Sequence, residues 1–200
     1  MKIKSIKSVD FENAIDIFTE AFIDDPLFLF AFPDFEKRKR LTRIMYEFVV
    51  LDLVPEMKLK LIGLIENDKL VSVGTYTTPD STTGWTDKLD KAVKDMWIKA
   101  NDNSIRMIGE YSMKSRNFEI KEPHFYFNEL AVLPEEQGKG YGKEMFKYVE
   151  AKCLKHPAAK GIALDTPNPK NVKIYRHLGY KVVHKFKFHD LTGYTMYKKI

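Results

Sequence analysis

Cysteine is almost absent from this chain, and long apolar runs are missing. Cys153 is its single cysteine, which excludes an internal disulfide and a zinc site of paired cysteines, and fits a reducing cytoplasm. The longest unbroken apolar run, residues 27–32, is far shorter than the ~20 residues of a membrane-spanning helix. Residues 1–7 hold no apolar stretch of signal-peptide length. We therefore expect a cytoplasmic protein that does not enter a membrane.

Neither the histidines nor the one cluster of basic residues indicates a metal site or a nucleic-acid-binding surface. The five histidines show no HExxH or other tight metal-ligand spacing, and we predict no metal site. The basic run at residues 37–40 begins an amphipathic helical pattern, so we interpret it as a solvated helix face. No DNA- or RNA-binding motif accompanies this run, and we predict no nucleic-acid partner.

The composition is that of a globular protein with a sizeable core. The 200 residues are 44% apolar and 30% charged, and they include 14 Phe and 10 Tyr. This length favours one domain over two, and we assign residues 1–200 to a single domain. The formal net charge of +5 indicates an anionic ligand or partner without identifying it.

Hydrophobic periodicity predicts strands that alternate with helices. The predicted strands are residues 2–9, 58–65, 70–77, 125–132, 161–165, 180–188 and 194–198. The predicted helices follow Asp10, Pro33-Asp34, Gly142 and Asn168, and two more lie within residues 87–119. Asp24-Asp25-Pro26 is predicted to end the first helix. The fold class is therefore α/β or α+β.

A glycine-rich turn separates the strand at 125–132 from the helix after it. Its glycines are Gly138, Gly140 and Gly142. Backbone N–H groups converge at a helix start, the helix dipole favours negative charge, and glycine lets an anion approach the main chain. The turn predicts either a phosphate-binding site or an ordinary turn before a helix.

Two common nucleotide-binding motifs do not fit this turn. The dinucleotide fingerprint GxGxxG fails because position 143 is Lys rather than Gly. The phosphate-loop motif GxxxxGK[ST] fails because Glu144 follows Lys143 and the preceding spacing is one residue short. Hydrolysis of ATP or GTP is therefore disfavoured.

The turn and its flanks resemble the GNAT N-acetyltransferase superfamily. Gln137, Gly140 and Gly142 match its acyl-CoA pattern Q/R-x-x-G-x-G/A, and residues 128–134, NELAVLP, are similar to its central strand and the following turn. Residues 168–180, NPKNVKIYRHLGY, resemble its second signature, an Asn before a helix that carries a Tyr and ends in Gly-aromatic. Together the blocks span about residues 124–182.

The resemblance implies a mixed, mostly antiparallel sheet of six or seven strands flanked by helices. It also implies transfer of an acetyl group from acetyl-CoA to a primary amine by direct attack, without an acyl-enzyme. The acetyl-CoA-binding core would be residues 124–182, and the acceptor side mainly residues 10–56 and 80–122. Relatives often form homodimers, and nothing in this sequence decides that point.

The same resemblance assigns residues to acetyl-CoA binding. The expected contacts are Leu130, Ala131, Val132, Gln137, Gly138, Lys139, Gly140, Tyr141, Gly142, Lys143, Asn168 and Asn171. The turn would hold the pyrophosphate on its backbone amides, and the main chain of the strand would polarise the acetyl carbonyl. Lys139 and Lys143 add charge or are ordinary solvated lysines. Asn168 is also a good N-cap before Pro169.

Two residues are candidates for proton transfer. By resemblance, Tyr175 is the general acid that protonates the leaving thiolate, although an aromatic on an inner helix face is also a typical core residue. Glu129 is a candidate general base because a carboxylate in an apolar strand is costly unless it is paired or faces a wet cleft. Strand alternation puts Asn128 on the opposite face and does not decide which of the two faces the cleft.

Several short segments and aromatic residues bear on which class of molecule accepts the acetyl group. Residues 25–26, 33–34, 77–80 and 122–123 resemble the subgroup that includes puromycin N-acetyltransferase. An apolar, aromatic lining of the acceptor pocket would suit a small or medium amine better than a basic protein tail. Trp85, Trp97, Met107 and Tyr111 either line the acceptor pocket or, as we favour for most of them, fill the core. Two alternatives remain: acetylation of a protein N-terminus or lysine, which an acidic acceptor groove would favour, and a non-catalytic acyl-CoA-binding module.

Overall fold

One mixed sheet organises the molecule in this computed structural model, which describes residues 1–81 and 84–200. The strands are β1 (Lys2–Ser5), β2 (Lys60–Glu66), β3 (Lys69–Thr77), β4 (Phe125–Val132), β5 (Gly161–Thr166), β6 (Lys181–Phe188) and β7 (Leu191–Lys199). Their order across the sheet is β1-β2-β3-β4-β5-β7-β6. Neighbouring strands run antiparallel except β4 and β5, which are parallel. The predicted mostly antiparallel sheet is confirmed.

Helices cover both faces of this sheet. They are α1 (Phe11–Phe22), α2 (Pro26–Ala31), α3 (Phe35–Phe48), α4 (Val54–Glu56), α5 (Asp87–Ala100), α6 (Arg106–Ser115), α7 (Tyr141–Leu154) and α8 (Pro169–His177). Several begin where the sequence supplies a cap. The carboxylate of Asp34 accepts a hydrogen bond from Lys37 N, and the hydroxyl of Thr86 accepts one from Leu89 N.

The sheet separates two apolar cores. On one face, α1 packs over β3 and β4, and the core there includes Phe18, Tyr46 and Val73. On the other face, α7 packs over the same strands and β5, and the core includes Phe127 and Phe146. Burying a large apolar side chain contributes about 1.5–3 kcal/mol, so each face holds its helices firmly. Strand β4 runs between the two cores.

Helix α2 is a difference from the sequence prediction. Asp25 and Pro26 do end the first helical pattern, but they also begin α2, which contains most of the apolar run at residues 27–32. The Asp25 carboxylate accepts a hydrogen bond from Leu27 N at 2.9 Å, and proline is favourable in a first helical turn. A pair interpreted only as a helix breaker is therefore also a helix start.

The basic run at residues 37–40 is only partly a solvated face, so that prediction is wrong for Arg38. Its side chain is buried, and Nη1 donates hydrogen bonds to the carbonyl oxygens of Phe32 and Pro33, both at 2.9 Å. Arg40 Nη1 donates to Ala100 O at 2.9 Å. These contacts fix the turn between α2 and α3 and the end of α5.

Candidate active site

Strands β4 and β5 pair at one end only and then separate. Phe125 lies opposite Ile162 and Tyr126 opposite Ala163, and the described residues show no further pairing between the two strands. On its other edge, β4 stays paired with β3 as far as Val132. Residues 127–132 therefore present one backbone edge to a wedge-shaped opening in the sheet.

Backbone groups of the predicted acetyl-CoA strand face this opening. Leu133 N donates to Val71 O at 3.0 Å, toward β3. Because backbone N–H and C=O groups alternate sides along an antiparallel strand, those of Leu130 and Val132 point the other way, toward β5. The side chain of Ala131 is buried in the core. Unpaired N–H groups at this edge are suited to polarise a carbonyl.

A bulge in β4 changes which side chains share a face. Thr75 pairs with Glu129 and Tyr76 with Phe127, so Asn128 is an extra residue in β4. The bulge turns Asn128 and Glu129 to the same face. Asn128 Oδ1 accepts from Arg116 at 2.7 Å, and Glu129 accepts from the Thr75 hydroxyl. The prediction that these two neighbours lie on opposite faces is wrong.

The glycine turn has an open backbone at the start of α7. Gly138 and Gly140 have φ of 79° and 88°, a left-handed conformation that favours glycine. A Cβ atom at either position would meet no described atom within 4 Å. Among the described residues, no side chain caps the N–H groups of α7 at Gly140. The turn thus fits an anion such as the CoA pyrophosphate.

This turn lies against the opening in β4. A Cβ atom at Gly142 would be 3.8 Å from a methyl carbon of Leu130 and 3.9 Å from one of Val132. Gln137 Nε2 donates to Val132 O at 3.2 Å, which ties the turn to the strand. Tyr141 is partly buried against the α7 core. The first turn of α7 and the free edge of β4 therefore border one space.

The two lysines of the turn differ in their surroundings. Lys139 Nζ forms an ion pair with Glu136 at 2.8 Å, and both side chains are partly exposed. Lys143 is exposed at the start of α7, and the described residues provide it with no ion-pair partner. The contact of either lysine with acetyl-CoA stays a prediction.

Asn168 caps α8, as the sequence independently predicts. Its Oδ1 accepts from Lys170 N at 3.0 Å, and its own N–H donates to Thr166 Oγ1 at 3.1 Å. Asn171 Nδ2 lies 3.5 Å from the same hydroxyl. Both asparagines thus surround the end of β5, and their contact with acetyl-CoA stays a prediction.

Tyr175 lies on the inner side of α8 with its ring half-buried. The ring packs against Phe146 and Tyr180, with centroids 5.3 and 6.4 Å apart. Among the described residues, its hydroxyl has no hydrogen-bond partner. Burial raises the pKa of Tyr175 well above its usual value, and the charges of Asp25 and Asp165 add to this. The phenol therefore keeps its proton at neutral pH and is available as a donor.

Glu129 is a half-buried carboxylate beside the opening. Burial raises its pKa to about 6, while the hydrogen bond from Thr75 and the charge of Arg116 act in the opposite direction. The charge of Asp165 raises this pKa further. The charge of Asp165 therefore raises the pKa of both Glu129 and Tyr175. With a pKa of about 6, Glu129 is mostly ionised at pH 7.

Two acidic residues escape the sequence analysis. Asp25 begins α2, and burial together with the charge of Asp165 raises its pKa to about 6 despite the hydrogen bond from Leu27 N. Asp165 lies near the end of β5 and accepts a hydrogen bond from the Tyr126 hydroxyl at 2.6 Å. Asp165 is 140 residues from Asp25 in the numbering. On sequence grounds Asp25 has a place at the end of the first helix and in a subgroup resemblance, and Asp165 has a place in a strand, but neither is given a role in the site. The one available signal for Asp165 is a charged residue that follows the apolar run of β5, GIALDT.

The four candidates for the acceptor pocket within residues 80–122 differ in burial. Tyr111 is buried, and Trp97 and Met107 are partly buried against the same core. The core interpretation, favoured for most of the four, therefore holds for these three. The fourth, Trp85, is exposed and donates to Asp90 at 2.7 Å. Residues 82 and 83 of this segment lie outside the described residues.

Two further properties concern the described residues alone. They contain no helix that is both long and apolar enough to cross a bilayer. They also contain no group of three or more His, Cys, Asp or Glu side chains arranged to hold a metal ion. Cys153 is buried in the α7 core, as its place on the apolar helix stripe predicts.

Solved structures share this architecture. The chain is similar to a protein described as histone acetyltransferase HPA2 and related acetyltransferase from Corynebacterium glutamicum, with a TM-score of 0.74, 18% identity, and coverage of 98% of this chain and 94% of that one. It is also similar to PaiA N-acetyltransferase from Thermoplasma acidophilum in complex with coenzyme A, with a TM-score of 0.61, 14% identity, and coverage of 100% and 98%. A polyamine N-acetyltransferase from Drosophila melanogaster gives a TM-score of 0.63, 11% identity, and coverage of 100% and 99%. At such identities the likeness shows the fold alone.

The sequence itself matches one family model. None of the curated protein sequences matches the chain at a significant level. The model of the acetyltransferase (GNAT) family matches residues 62–180, which is more than half of the chain and includes β4, the glycine turn and α8. The chain therefore belongs to the GNAT acetyltransferase family.

Proposed function

We propose that this chain transfers the acetyl group of acetyl-CoA to the primary amine of a small molecule. The observation that carries the proposal is the opening between β4 and β5. It combines the free backbone edge at Leu130 and Val132 with the uncapped start of α7. The first can hold a thioester carbonyl and the second a pyrophosphate.

The proposed residues would act as follows. Acetyl-CoA supplies the acetyl group as a thioester when bound. Glu129 accepts a proton from the amine, directly or through water, so that the nitrogen is free to bond to the carbonyl carbon. The N–H groups at Leu130 and Val132 stabilise the negative charge that develops on the carbonyl oxygen. The C–S bond breaks, and the Tyr175 hydroxyl donates a hydrogen bond to the departing sulfur.

The raised pKa of Tyr175 refines that last role. A thiol has a pKa of about 8.5, and burial holds the phenol pKa well above that value. Full proton transfer to sulfur is therefore uphill unless the thiolate and phenol interact strongly. We infer that Tyr175 stabilises the thiolate mainly as a hydrogen-bond donor, and that the proton released by the amine restores neutrality.

The half-buried position of the site carboxylates supports a small acceptor. Glu129, Asp25 and Asp165 are all partly buried rather than spread over an open surface. The resemblance of several short segments to the puromycin N-acetyltransferase subgroup also favours a small molecule. The acidic character of the same site favours a second candidate, acetylation of a lysine or N-terminus in a protein, because such acceptors are cationic.

A coenzyme-release assay tests the proposal. The purified chain is mixed with acetyl-CoA and a panel of small primary amines, a basic lysine peptide and a peptide with a free N-terminus, and free thiol is followed. Thiol release that requires acetyl-CoA, the chain and a small amine together, and is absent when any one of the three is left out, is the expected result. Release with the peptides alone would favour the second candidate. Binding of acetyl-CoA without release of free thiol in the presence of any acceptor would contradict the enzymatic proposal.

A further inference from the structure

The sheet has a polar corner beside the opening, on the face that α1 and α6 cover. The strand neighbours Phe127, Leu130 and Leu164 pack in the core under α7, on the opposite face. Side chains alternate along a strand, and a bulge turns two successive residues to one side. Four polar side chains therefore share the α1 face at the narrow end of the opening: Tyr126, Asn128, Glu129 and Asp165.

One hydrogen bond links β4 and β5 where they begin to separate. The Tyr126 hydroxyl donates to the Asp165 carboxylate at 2.6 Å. Within the described chain, Tyr126 is also the last residue of β4 that pairs with β5, opposite Ala163. Its side chain is buried. The Tyr126 ring is therefore a fixed surface at the edge of the opening.

Arg116, the residue that follows α6, holds β4 at two points. Its guanidinium stacks on the Tyr126 ring, 4.2 Å from the ring centroid, and Nη2 donates to Asn128 Oδ1 at 2.7 Å. A guanidinium can stack on an aromatic face and donate hydrogen bonds from its edge at the same time. The end of α6 is itself fixed, because Ser115 O accepts from Thr195 Oγ1 at 3.3 Å. The positive charge is thus held beside the extra residue of the bulge.

We propose that Arg116 is a positioning residue for acetyl transfer, which is anchored by Tyr126 and Asn128 and holds a positive charge one residue away from the Glu129 carboxylate. This inference rests on the proposed role of Glu129 as the base. A carboxylate can accept a proton only while it is ionised, and burial favours its neutral form unless a cation is close. Arg116 supplies that cation.

An indirect contact suits a base better than a direct ion pair. A neighbouring arginine lowers the pKa of a carboxylate by about 1–3, and a carboxylate with a low pKa is a weak base. The guanidinium of Arg116 is engaged by Tyr126 and Asn128 instead. The pKa of Glu129 therefore stays at about 6, close to neutral pH, where general-base catalysis is most effective.

The groups that face Glu129 come from several elements. Burial and the charge of Asp165 in β5 raise its pKa, whereas the hydrogen bond from Thr75 in β3 and the charge of Arg116 lower it. Tyr46 in α3 stays neutral, because burial and the charge of Glu129 raise the pKa of its phenol. Helix α1 packs over β4, and its buried residues include no titratable side chain. Loss of the Arg116 charge is therefore expected to raise the pKa of Glu129.

Carbon-13 NMR of the side-chain carboxyl groups measures the titration of Glu129 directly, and Glu129→Gln assigns its signal. In Arg116→Met the midpoint should rise by roughly half a pH unit or more, since solvent screens part of the lost charge. Arg106→Met is the matched control. Arg106 also stacks on an aromatic ring, 4.2 Å from the Trp97 centroid, but it begins α6, about 15 Å along the helix from Arg116. An unchanged midpoint in Arg116→Met, or an equal rise in Arg106→Met, would overturn the proposal.

Two further variants separate the charge from its anchor. Arg116→Lys keeps the positive charge, so its midpoint should lie within about 0.3 of wild type. Asn128→Ala removes the amide that anchors the guanidinium, so the midpoint should rise, but by less than in Arg116→Met. Arg116 is exposed at a helix end, and we expect both of its variants to fold, which circular dichroism checks. A shift in Arg116→Lys as large as in Arg116→Met, or a wild-type midpoint in Asn128→Ala, would overturn the anchored charge.

The pH dependence of turnover distinguishes this inference from the proposed function. In Arg116→Met the acidic limb of the rate should move to higher pH together with the NMR midpoint, while KM for acetyl-CoA stays unchanged. Turnover with an unmoved limb would support acetyl transfer and overturn the role of Arg116. A shifted NMR midpoint in a chain that releases no coenzyme would support the control of Glu129 by Arg116 and contradict acetyl transfer.

Discussion

Tyr175 has a packed ring and a hydroxyl that forms no hydrogen bond with any described residue. Tyr175→Phe keeps the contacts with Phe146 and Tyr180 and removes only the donor. We expect turnover to fall roughly 100-fold or more, the usual range for a lost general acid. The affinity for acetyl-CoA should change little, because the donor is needed only as the thiolate leaves. Steady-state kinetics and calorimetry measure the two effects.

Tyr180 provides the matched control for this change. It packs against the same Phe146 ring, and its hydroxyl is buried without a partner. Tyr180→Phe should leave turnover within about threefold of wild type and should not lower stability, because an unsatisfied hydroxyl contributes nothing favourable. Equal losses in the two variants would show that the effect is not specific to the Tyr175 hydroxyl and would remove it from the donor role.

Glu129 predicts an acidic limit of activity. With a pKa of about 6, the carboxylate loses its charge as pH falls, and a protonated carboxylic acid cannot accept the amine proton. The rate should therefore fall as pH decreases through about 6. Glu129→Gln should be slow at every pH and should lack this limb, while Glu135→Gln, at an exposed ion pair with Lys69, should keep it. A retained limb in Glu129→Gln would assign the titration to another group.

At the scale of elements, the start of α2 predicts a pH effect on stability. Burial raises the Asp25 pKa from 3.8 to about 6, so the folded state favours its neutral form. The stabilisation is complete below about pH 4 and is lost as pH rises through about 6. Asp25→Asn is neutral throughout and keeps the cap. It should gain on the order of 1–2 kcal/mol relative to wild type between pH 4 and 8, measured by denaturant unfolding.

Asp34 is the control for that experiment, since it caps α3 in the same way but is exposed. Asp34→Asn gives the effect of the same substitution at an exposed cap, with which the Asp25→Asn difference is compared at pH 4 and pH 8. If the Asp25→Asn difference changes with pH no more than the Asp34→Asn difference does, the Asp25 carboxylate is not destabilised by burial.

The glycine turn predicts a selective loss of acetyl-CoA affinity. Gly140→Ala strains a left-handed residue by about 1–2 kcal/mol and puts a methyl group into the open space at the start of α7. We expect weaker binding of acetyl-CoA by calorimetry. Gly109→Ala, within exposed α6, should stabilise the fold by about 0.5–1 kcal/mol and leave binding unchanged. Wild-type affinity in Gly140→Ala would exclude the turn from the site.

The sequence predicts those helices and strands that show a clear hydrophobic period together with cap or turn residues. It does not predict local departures from a regular helix or strand pattern. The hairpin of β2 and β3, the cap at Asn168 and the end of α8 at Gly179, whose φ is 92°, follow from periodicity, cap and turn residues. Helix α2 was missed because a six-residue apolar run shows no helical period of its own. The bulge at Asn128 was missed because alternation assumes a regular strand.

At the scale of the whole molecule, the site depends on contacts that sequence spacing does not reveal. The proposed acetyl-CoA side is one continuous block, from β4 through the turn to α8, and it carries the motifs that resemble the family. Asp25 and Asp165 are electrostatic neighbours although they come from distant segments, α2 and β5. The opening itself depends on the sheet order, which places β5 beside β4 and leaves the two strands apart at one end.

Calorimetric titration of the wild-type chain with acetyl-CoA tests the central claim most directly. The claim is that the opening in the sheet and the uncapped start of α7 together hold acetyl-CoA. We predict one site per chain with a dissociation constant in the micromolar range or tighter, weakened by Gly140→Ala and unaffected by Gly109→Ala. No heat of binding at micromolar concentrations, or equal binding by both variants, would contradict it.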